Sequence, residues 1–338
     1  MTRKRIYIAY TGGTIGMEKS AQGYVPTSGF LTQSIRQMPE FNRDEMPLFD
    51  IQEYSPLMDS ANMSPADWQK IADDIYSNYD DYDGFIVLHG TDTMAFTASA
   101  LSFMFDGLCK PIIVTGSQIP LSEIRSDGAV NLLESLYIAA NYPINEVGLY
   151  FNNKLYRGNR TTKIHADGFG AFTSTNFAEL IEAGINIQLV NGKINQPMCP
   201  DKTLSLAQIQ TQPIGVVSLY PGISTDVIAN IIEQPVKALI IQSYGVGNAP
   251  QNKDFLDLLK RATEAGIIVV NRTQCAKGRV NMDGYATGNA LKASGVISGF
   301  DMTLEATLTK LHYLLSLDLD VDEIKELMQQ SLRGELTK

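Results

Sequence analysis

Residues 6–16 of this 338-residue chain read IYIAYTGGTIG, an apolar run that ends in a glycine-rich turn. The unbroken apolar run predicts a short β-strand buried on both faces, as in a parallel sheet. Similar runs at 85–88 and 112–115 predict two more such strands. A fourth strand is expected near residues 51–54.

Segments with helical periodicity alternate with these strands. Ser64 fits an N-cap, followed by a proline at N1 and an acid at N3, so a helix is expected from there toward residue 79. Further helices are predicted at residues 93–105 and 127–141. Strand–helix–strand order implies parallel strands joined by right-handed crossovers. We therefore predict an α/β fold whose larger N-terminal domain has a doubly wound, mostly parallel sheet.

Residues 191–212 interrupt the alternation, because this stretch is polar and punctuated by prolines. It is interpreted as a linker between an N-terminal α/β domain (1–190) and a C-terminal α/β domain (213–338). The second domain is expected to be smaller, with a parallel sheet. Its predicted strands are residues 216–220, 238–242 and 267–271, and its predicted helices are 225–233, 254–265, 304–316 and 322–332.

Composition argues against several classes of partner. The net charge is −10, which repels a phosphate backbone, so no nucleic-acid partner is expected. Cys109, Cys199 and Cys275 are widely separated and odd in number, which argues against a disulfide framework and favours a reducing compartment. No apolar run reaches the length of a signal peptide core or a membrane span. We expect a cytoplasmic protein with no membrane partner.

Polar segments follow four of the predicted strands. They are TGGTIG at 11–16, MDS at 58–60, HGTDT at 89–93 and GSQ at 116–118. Ligands of open α/β sheets bind beyond the carboxyl ends of the strands. If the strands are neighbours, these segments meet in one crevice that is rich in hydroxyls and carboxylates.

Neither a cofactor nor a metal is expected in this crevice. The glycine-rich turn lacks the third glycine of a dinucleotide-binding motif. The only histidines are His89, His165 and His312, with no closely spaced pair and no H-E-x-x-H. Since a histidine-based triad does not fit, a hydrolase on this chain would activate its hydroxyl with a tyrosine or a lysine.

Each of these residues also has a structural interpretation when taken alone. Loop hydroxyls commonly bond to local backbone, and Asp92 fits a helix cap. His89 fits a packing role, and Lys163 fits a solvated loop lysine. The convergence of four strand ends is what favours catalysis.

The segments TGGTI (11–15) and HGTDT (89–93) together resemble the two signatures of bacterial-type L-asparaginases. TGSQ at 115–118 and SYGVGN at 243–248 extend the resemblance over nearly the whole chain. PLMDS at 56–60 and the short N-terminus resemble the cytoplasmic type I branch more than the secreted type II branch. The resemblance implies two α/β domains and hydrolysis of L-asparagine to L-aspartate and ammonia. It also implies active sites at a homodimer interface, often within a dimer of dimers.

The resemblance assigns roles to individual residues. Thr14 corresponds to the nucleophile, on a mobile loop that also carries its activating partner, Tyr24. The second group of the site consists of Thr91, Asp92 and Lys163. Asp59 and Ser60 correspond to the residues that hold the substrate's α-amino and α-carboxylate groups, and Ser117 corresponds to the residue near its carboxamide.

The chemistry expected of these residues is acyl transfer. A threonine hydroxyl is a weak nucleophile at neutral pH, so Tyr24 or Lys163 must take its proton as it attacks the amide carbon. Asp92 would orient Lys163. Backbone N–H groups near residues 12–13 and 91–93 would stabilise the oxyanion, and water would release aspartate from the acyl-enzyme.

A second, regulatory asparagine site is also suggested by the resemblance. Its candidate residues are Thr162, Gln242, Asn248 and Cys275. Gln242 stands where an arginine would bind the effector's carboxylate, and glutamine lacks both the charge and the fork of a guanidinium. Cooperativity is therefore an open expectation.

Three other functions stay open. Mixed glutaminase–asparaginase activity is one, since a single methylene is worth only about 1–3 kcal/mol of discrimination. The amidase half of a tRNA-dependent amidotransferase is another, although the acidic charge disfavours it. The third is a non-catalytic amino-acid sensor, which would not need both Thr14 and Thr91.

Overall fold

The computed structural model describes residues 3–21, 23–190, 203–284 and 286–338. The chain divides into two compact units, Met1–Ala207 and Gln208–Lys338. Residues 191–202 of the predicted linker lie outside the described residues. In the remainder of that segment, Ser205–Leu206 forms a strand paired within the first unit, so this unit continues beyond residue 190.

The strands and helices of the first unit follow in chain order. The strands are β1 (Arg5–Gly12), β2 (Met17–Ser20), β3 (Gly23–Pro26), β4 (Leu48–Met58), β5 (Gly84–Leu88), β6 (Phe105–Asp106), β7 (Ile112–Thr115), β8 (Val147–Phe151), β9 (Lys154–Arg157), β10 (Thr162–Lys163), β11 (Phe172–Thr173), β12 (Ile181–Ala183), β13 (Ile187–Leu189) and β14 (Ser205–Leu206). The helices are α1 (Phe30–Gln37), α2 (Pro65–Ser77), α3 (Met94–Met104) and α4 (Gly128–Asn141).

Eight strands form the main sheet in the order β13-β12-β9-β8-β7-β5-β1-β4. From β4 to β8, each neighbouring pair is parallel. The strands β9, β12 and β13 extend the sheet in antiparallel fashion. This architecture confirms the predicted α/β fold with a mostly parallel sheet. The antiparallel extension was not predicted from the sequence.

The antiparallel extension begins at a two-residue turn between β8 and β9. Asn152 and Asn153 both adopt positive φ, 50° and 65°. Asparagine tolerates this left-handed region, and two consecutive positive φ values belong to the turn type that matches the twist of a β-hairpin. The chain therefore folds back beside β8 instead of crossing over through a helix.

The first unit's predicted helices are confirmed near their expected bounds. In α2, Ser64 and Asp67 form the reciprocal capping box that the sequence indicated, with the Asp67 carboxylate accepting from the Ser64 backbone N–H at 2.9 Å. Nearly all of α3 is buried. A helix that is buried on nearly all sides must be covered by other elements.

The second unit contains a four-stranded parallel sheet in the order β15-β16-β17-β18. Its strands are β15 (Ile214–Ser218), β16 (Ala238–Ser243), β17 (Ile268–Thr273) and β18 (Ile297–Ser298), and its helices are α5 (Thr225–Ile232), α6 (Lys253–Glu264), α7 (Ala286–Ala293), α8 (Leu304–Leu314) and α9 (Val321–Met328). This confirms the predicted smaller parallel-sheet unit.

Alternate residues of β16 point to two separate cores. Leu239 and Ile241 pack with residues of α5 and α6 on one face. Ala238 and Ile240 pack with residues of α8 and α9 on the other. Since both faces are covered, the strand reads as a continuous apolar run, which is why it was recognisable in the sequence.

The composition predicted a chain without a membrane span and without a disulfide framework. Within the described residues, no helix has the length and apolarity needed to cross a lipid bilayer. Cys275 is an exposed free thiol, whereas Cys109 is disulfide-bonded.

Candidate active site

The segments after β1, β4, β5 and β7 touch one another at the carboxyl edge of the main sheet. A Cβ at Gly13 would lie 2.4 Å from the backbone nitrogen of Gly90, and one at Gly90 would lie 2.5 Å from Ser60 Oγ. A Cβ at Gly116 would lie 2.3 Å from the carbonyl oxygen of His89. The four polar segments singled out in the sequence are therefore in direct contact.

Glycine is required at the turn after β1 for two reasons. Gly12 and Gly13 have φ values of 137° and 90°, a region that side chains other than glycine rarely occupy. Both also approach neighbouring backbone too closely for a side chain, Gly12 at Met58 and Gly13 at Gly90. This close approach brings Thr14, the next residue, to the segment that bears Thr91.

Thr91, Lys163 and Asp92 form one hydrogen-bonded chain. Lys163 Nζ donates to Thr91 Oγ1 at 2.9 Å and to Asp92 Oδ1 at 2.7 Å. The Thr91 and Lys163 side chains are largely buried, whereas the Asp92 carboxylate is 67% exposed. The structure thus brings together three of the residues predicted for catalysis, with a cation donating to a hydroxyl oxygen.

Gln118 completes this chain and was missed as a functional residue. The Thr91 hydroxyl donates to Gln118 Oε1 at 3.0 Å. The backbone N–H of Gln118 is held by both carboxylate oxygens of Asp127, each at 3.0 Å. Gln118 belongs to the strand-end segment 116–118, but the residue type alone did not indicate which group it would contact.

Thr14 and Tyr24 belong to adjoining elements after β1. Thr14 is half-buried in a short 3₁₀ turn, Thr14–Gly16, and Tyr24 lies on β3 of the β2–β3 hairpin with 47% of its surface exposed. The Tyr24 hydroxyl donates to Glu123 at 2.9 Å. This carboxylate raises the pKa of Tyr24, so the lowered pKa expected of a base is absent in this conformation.

Asp59, Ser60 and Ser117 line the same group of loops. The Asp59 carboxylate is exposed and accepts from the Ala61 backbone N–H at 3.0 Å, while Ser60 is buried and its carbonyl accepts from Thr93 at 2.7 Å. Ser117 is 1% exposed, and its hydroxyl has no hydrogen-bond partner within the described parts of the chain. A buried hydroxyl without a partner is costly, which is a signature of a group reserved for a ligand.

His89 is fully buried between these loops and α3. Its Nδ1 lies 2.6 Å from the Gly90 carbonyl oxygen, which only accepts, so Nδ1 carries the proton. Nε2 then accepts from the Thr97 hydroxyl at 2.8 Å. Burial lowers the pKa of His89 to about 4, so the ring is neutral at physiological pH. These contacts fit the structural interpretation of His89.

Two family models match most of this chain. Residues 5–195 match the family model described as "Asparaginase, N-terminal", and residues 213–328 match the "Glutaminase/Asparaginase C-terminal domain". This chain belongs to the asparaginase family.

Individual relatives of the asparaginase family agree with that assignment. L-asparaginase 1 of Escherichia coli strain K12 is 65% identical over 100% of this chain and 99% of its own length. The crystal structure of L-asparaginase I from Vibrio cholerae superposes with a TM-score of 0.93 at 61% identity, covering 100% of both chains. The thermostable L-asparaginase of Thermococcus kodakarensis has a TM-score of 0.89 at 28% identity, covering 99% of each chain.

Of the residues that the asparaginase resemblance suggested for regulation, three lie at or just beyond the carboxyl ends of β16 and β17. Gln242 donates to Ser218 at 2.7 Å and accepts from Arg272 at 2.8 Å, so both ends of its amide are occupied. Asn248 accepts from Thr287, and Cys275 is exposed two residues after β17. The fourth residue, Thr162, lies on β10 of the first unit.

Among the described residues, no group of three or more histidine, cysteine, aspartate or glutamate side chains has an arrangement that would hold a metal ion.

Proposed function

We propose that this chain is an amidohydrolase that splits the side-chain amide of L-asparagine into L-aspartate and ammonia. The observation that carries the proposal is the chain of hydrogen bonds from Asp92 through Lys163 to Thr91, beside the turn that bears Thr14. A cation that donates to a hydroxyl oxygen, next to a second hydroxyl, is suited to acyl transfer and has no evident use in a site that only binds.

Attack begins at Thr14 in this proposal. Its hydroxyl adds to the amide carbon while a base takes its proton, and Tyr24 is the base that lies on the adjoining hairpin. Tyr24 is neutral and hydrogen-bonded to Glu123, so it must leave that carboxylate before it reaches Thr14. The hairpin that carries Tyr24 then serves as a lid that closes over the substrate.

The tetrahedral intermediate is stabilised by the N–H groups at the turn after β1 and at the start of α3. Such donors act on the charge that develops in the transition state, and loss of one typically costs about 2.7–4 kcal/mol. Ammonia leaves, and water then attacks the acyl-enzyme beside Thr91. At that step Lys163, held in place by Asp92, donates to the Thr91 oxygen, and the base that gave its proton to the departing ammonia accepts a proton from the water.

Substrate selection is assigned to the groups around the loops of β4 and β7. The exposed Asp59 carboxylate pairs with the α-amino group, and Ser60 binds the α-carboxylate. Ser117 directs its unpartnered hydroxyl to the carboxamide. A glutamine side chain is longer by one methylene, so mixed glutaminase activity is the second reaction that the assay must measure.

Regulation, assembly and location complete the proposal. We assign no asparagine effector site to Gln242, because its amide is already hydrogen-bonded to Ser218 and Arg272. The active species is a homo-oligomer, a dimer or a dimer of dimers, that works in the cytoplasm.

The test is ammonia release by the purified protein over a wide L-asparagine range, with L-glutamine in parallel. Thr14→Ala should abolish turnover of both amides, because it removes the attacking oxygen. Thr211→Ala is the matched control, since Thr211 is exposed in the second unit and should keep full activity.

The shape of the saturation curve tests the regulatory part of the proposal, for which we expect hyperbolic turnover. Asparagine binding without ammonia from either amide would contradict the hydrolase and leave the amino-acid sensor.

A further inference from the structure

The side chain of Gln118 has only one workable orientation. Its Nε2 lies 3.3 Å from the carbonyl oxygen of Ala166 and 3.0 Å from that of Gly168. Carbonyl oxygens only accept hydrogen bonds, so the NH₂ group must face them. The amide oxygen is thereby turned toward Thr91.

This orientation fixes the direction of the Thr91 hydroxyl. Gln118 Oε1 has no hydrogen to give, so at 3.0 Å it accepts the Thr91 proton. The Thr91 oxygen is then free to accept from Lys163 Nζ at 2.9 Å. Because an amide oxygen is scarcely basic, Gln118 directs the proton without removing it.

Gln118 also braces the segment that follows Lys163. Residues 166–168 come just after β10, where Lys163 lies, and they receive both N–H groups of the Gln118 amide. Asp127 holds the backbone N–H of Gln118 from the other side. One side chain therefore sets both the Thr91 hydroxyl and the loop carrying its cationic partner.

We propose that Gln118 is a positioning residue for amide hydrolysis, one that aligns Thr91 with Lys163 and touches neither substrate nor leaving group. The inference rests on the proposed function and deepens it. The charged and titratable groups around this amide are Lys163, Asp92, Asp127, His165 and Asp167. All five remain when Gln118 alone is changed.

Gln118→Met removes the acceptor and both donors while keeping the length of the side chain. We expect kcat to fall by roughly tenfold or more, equivalent to about 1.4 kcal/mol of barrier, with KM for L-asparagine nearly unchanged. Gln33→Met, at an exposed position on α1, is the matched control and should leave both constants unchanged. An unaltered kcat in folded Gln118→Met would overturn the proposal.

Gln118→Glu supplies a readout that a merely structural role would not move. When protonated, the introduced carboxyl keeps one acceptor for Thr91 and one donor for a backbone carbonyl. When ionised, it has no donor and faces two carbonyl oxygens. We expect the kcat of this variant, divided by that of the unaltered protein, to fall as pH rises through the titration of the new carboxyl. A ratio that is constant or rises with pH would contradict the proposal, even if Gln118→Met does not fold.

Failure of the proposed function is distinguishable from failure of this inference. If the unaltered protein releases no ammonia, the hydrolase is contradicted, and a crystal structure of Gln118→Glu grown above the carboxyl's titration range then tests the positioning directly. We expect the carbonyls of Ala166 and Gly168 to move away from the introduced carboxylate, or Thr91 Oγ1 to move away from Lys163 Nζ. An unchanged arrangement of these groups would contradict the positioning role, whatever the activity result.

Discussion

At the scale of single residues, His89 shows how burial near the candidate site selects one charge state. The ring is enclosed, and its two nitrogens are used in opposite ways, one donating to the Gly90 carbonyl and one accepting from Thr97. A protonated ring would lose the acceptor that Thr97 needs. The neutral ring is therefore part of how the start of α3 is held beside Thr91.

A pH dependence of stability follows from this burial. The pKa of His89 is lowered from 6.5 to about 4, so the unfolded chain binds a proton at higher pH than the folded one. Its contribution is fully present above pH 6.5 and is lost as pH falls toward 4. At about 1.4 kcal/mol per unit, the loss between pH 6.5 and 5 is roughly 2 kcal/mol.

Urea unfolding at pH 7 and pH 5 measures this loss in the unaltered protein and in His89→Gln. The variant should be less stable at pH 7 but should lose less stability between the two pH values. His165→Asn is the control, because His165 is more than half exposed and should keep the slope of the unaltered protein. Equal slopes in unaltered protein and His89→Gln would exclude the assignment.

At the scale of elements, α8 is tied to the chain that follows α9 by a buried ion pair. Lys310 and Glu335 are both fully buried, with Nζ 2.5 Å from Oε1. Lys310 also donates to the Met328 carbonyl at 3.2 Å, and Glu335 accepts the backbone N–H groups of Leu332 and Arg333. Burial lowers the pKa of Lys310, so the pair depends on these contacts to stay charged.

Breaking this pair from one side should be strongly destabilising. Lys310→Met leaves the Glu335 carboxylate buried without its cation, for which about 3–5 kcal/mol is typical. Chemical denaturation followed by circular dichroism gives the free energy of unfolding. Lys260→Met on α6 is the control, since its pair with Glu264 is exposed and should contribute about 0–1 kcal/mol. A loss in Lys310→Met no larger than in the control would show that the pair is dispensable.

At the scale of the whole molecule, each unit has its own sheet and its own hydrophobic cores. Two apolar side chains near the candidate site are exposed to solvent. Ile164 directly follows Lys163 and is 58% exposed, and Ile124 directly follows Glu123 and is 92% exposed. If the proposed oligomer has its interface beside this site, contact with a second chain would cover these two side chains.

The proposed oligomer gives a prediction at this scale. If a partner chain completes the site, activity per chain should stay constant on dilution until the oligomer dissociates, and should then fall together with the mass. Sedimentation velocity and ammonia release over the same dilution series measure both quantities. Monomers that keep full activity would contradict an interfacial site.

Part of the candidate site followed from the sequence because its members sit in short segments at strand ends. Thr14, Asp59, Ser60, Thr91, Asp92 and Ser117 all lie within a few residues of a strand that was recognisable from its apolar run. Once the strands were known to be parallel neighbours, their carboxyl ends had to meet at one edge.

The sequence by itself determined the principal parallel strands, most of the helices and the mostly parallel order, because each depends on local patterns of apolar residues, caps and turns. It did not predict β8, β18 or the antiparallel strands. Only the tertiary structure decided which distant side chains are hydrogen-bonded to each other. Lys163 reaches Thr91 across 72 positions, Gln118 reaches it across 27, and Tyr24 meets Glu123 across 99. Such contacts depend on where strands and loops are placed in space and on the direction of each donor. No local propensity encodes that placement, so Gln118 and Glu123 became visible only in the folded chain.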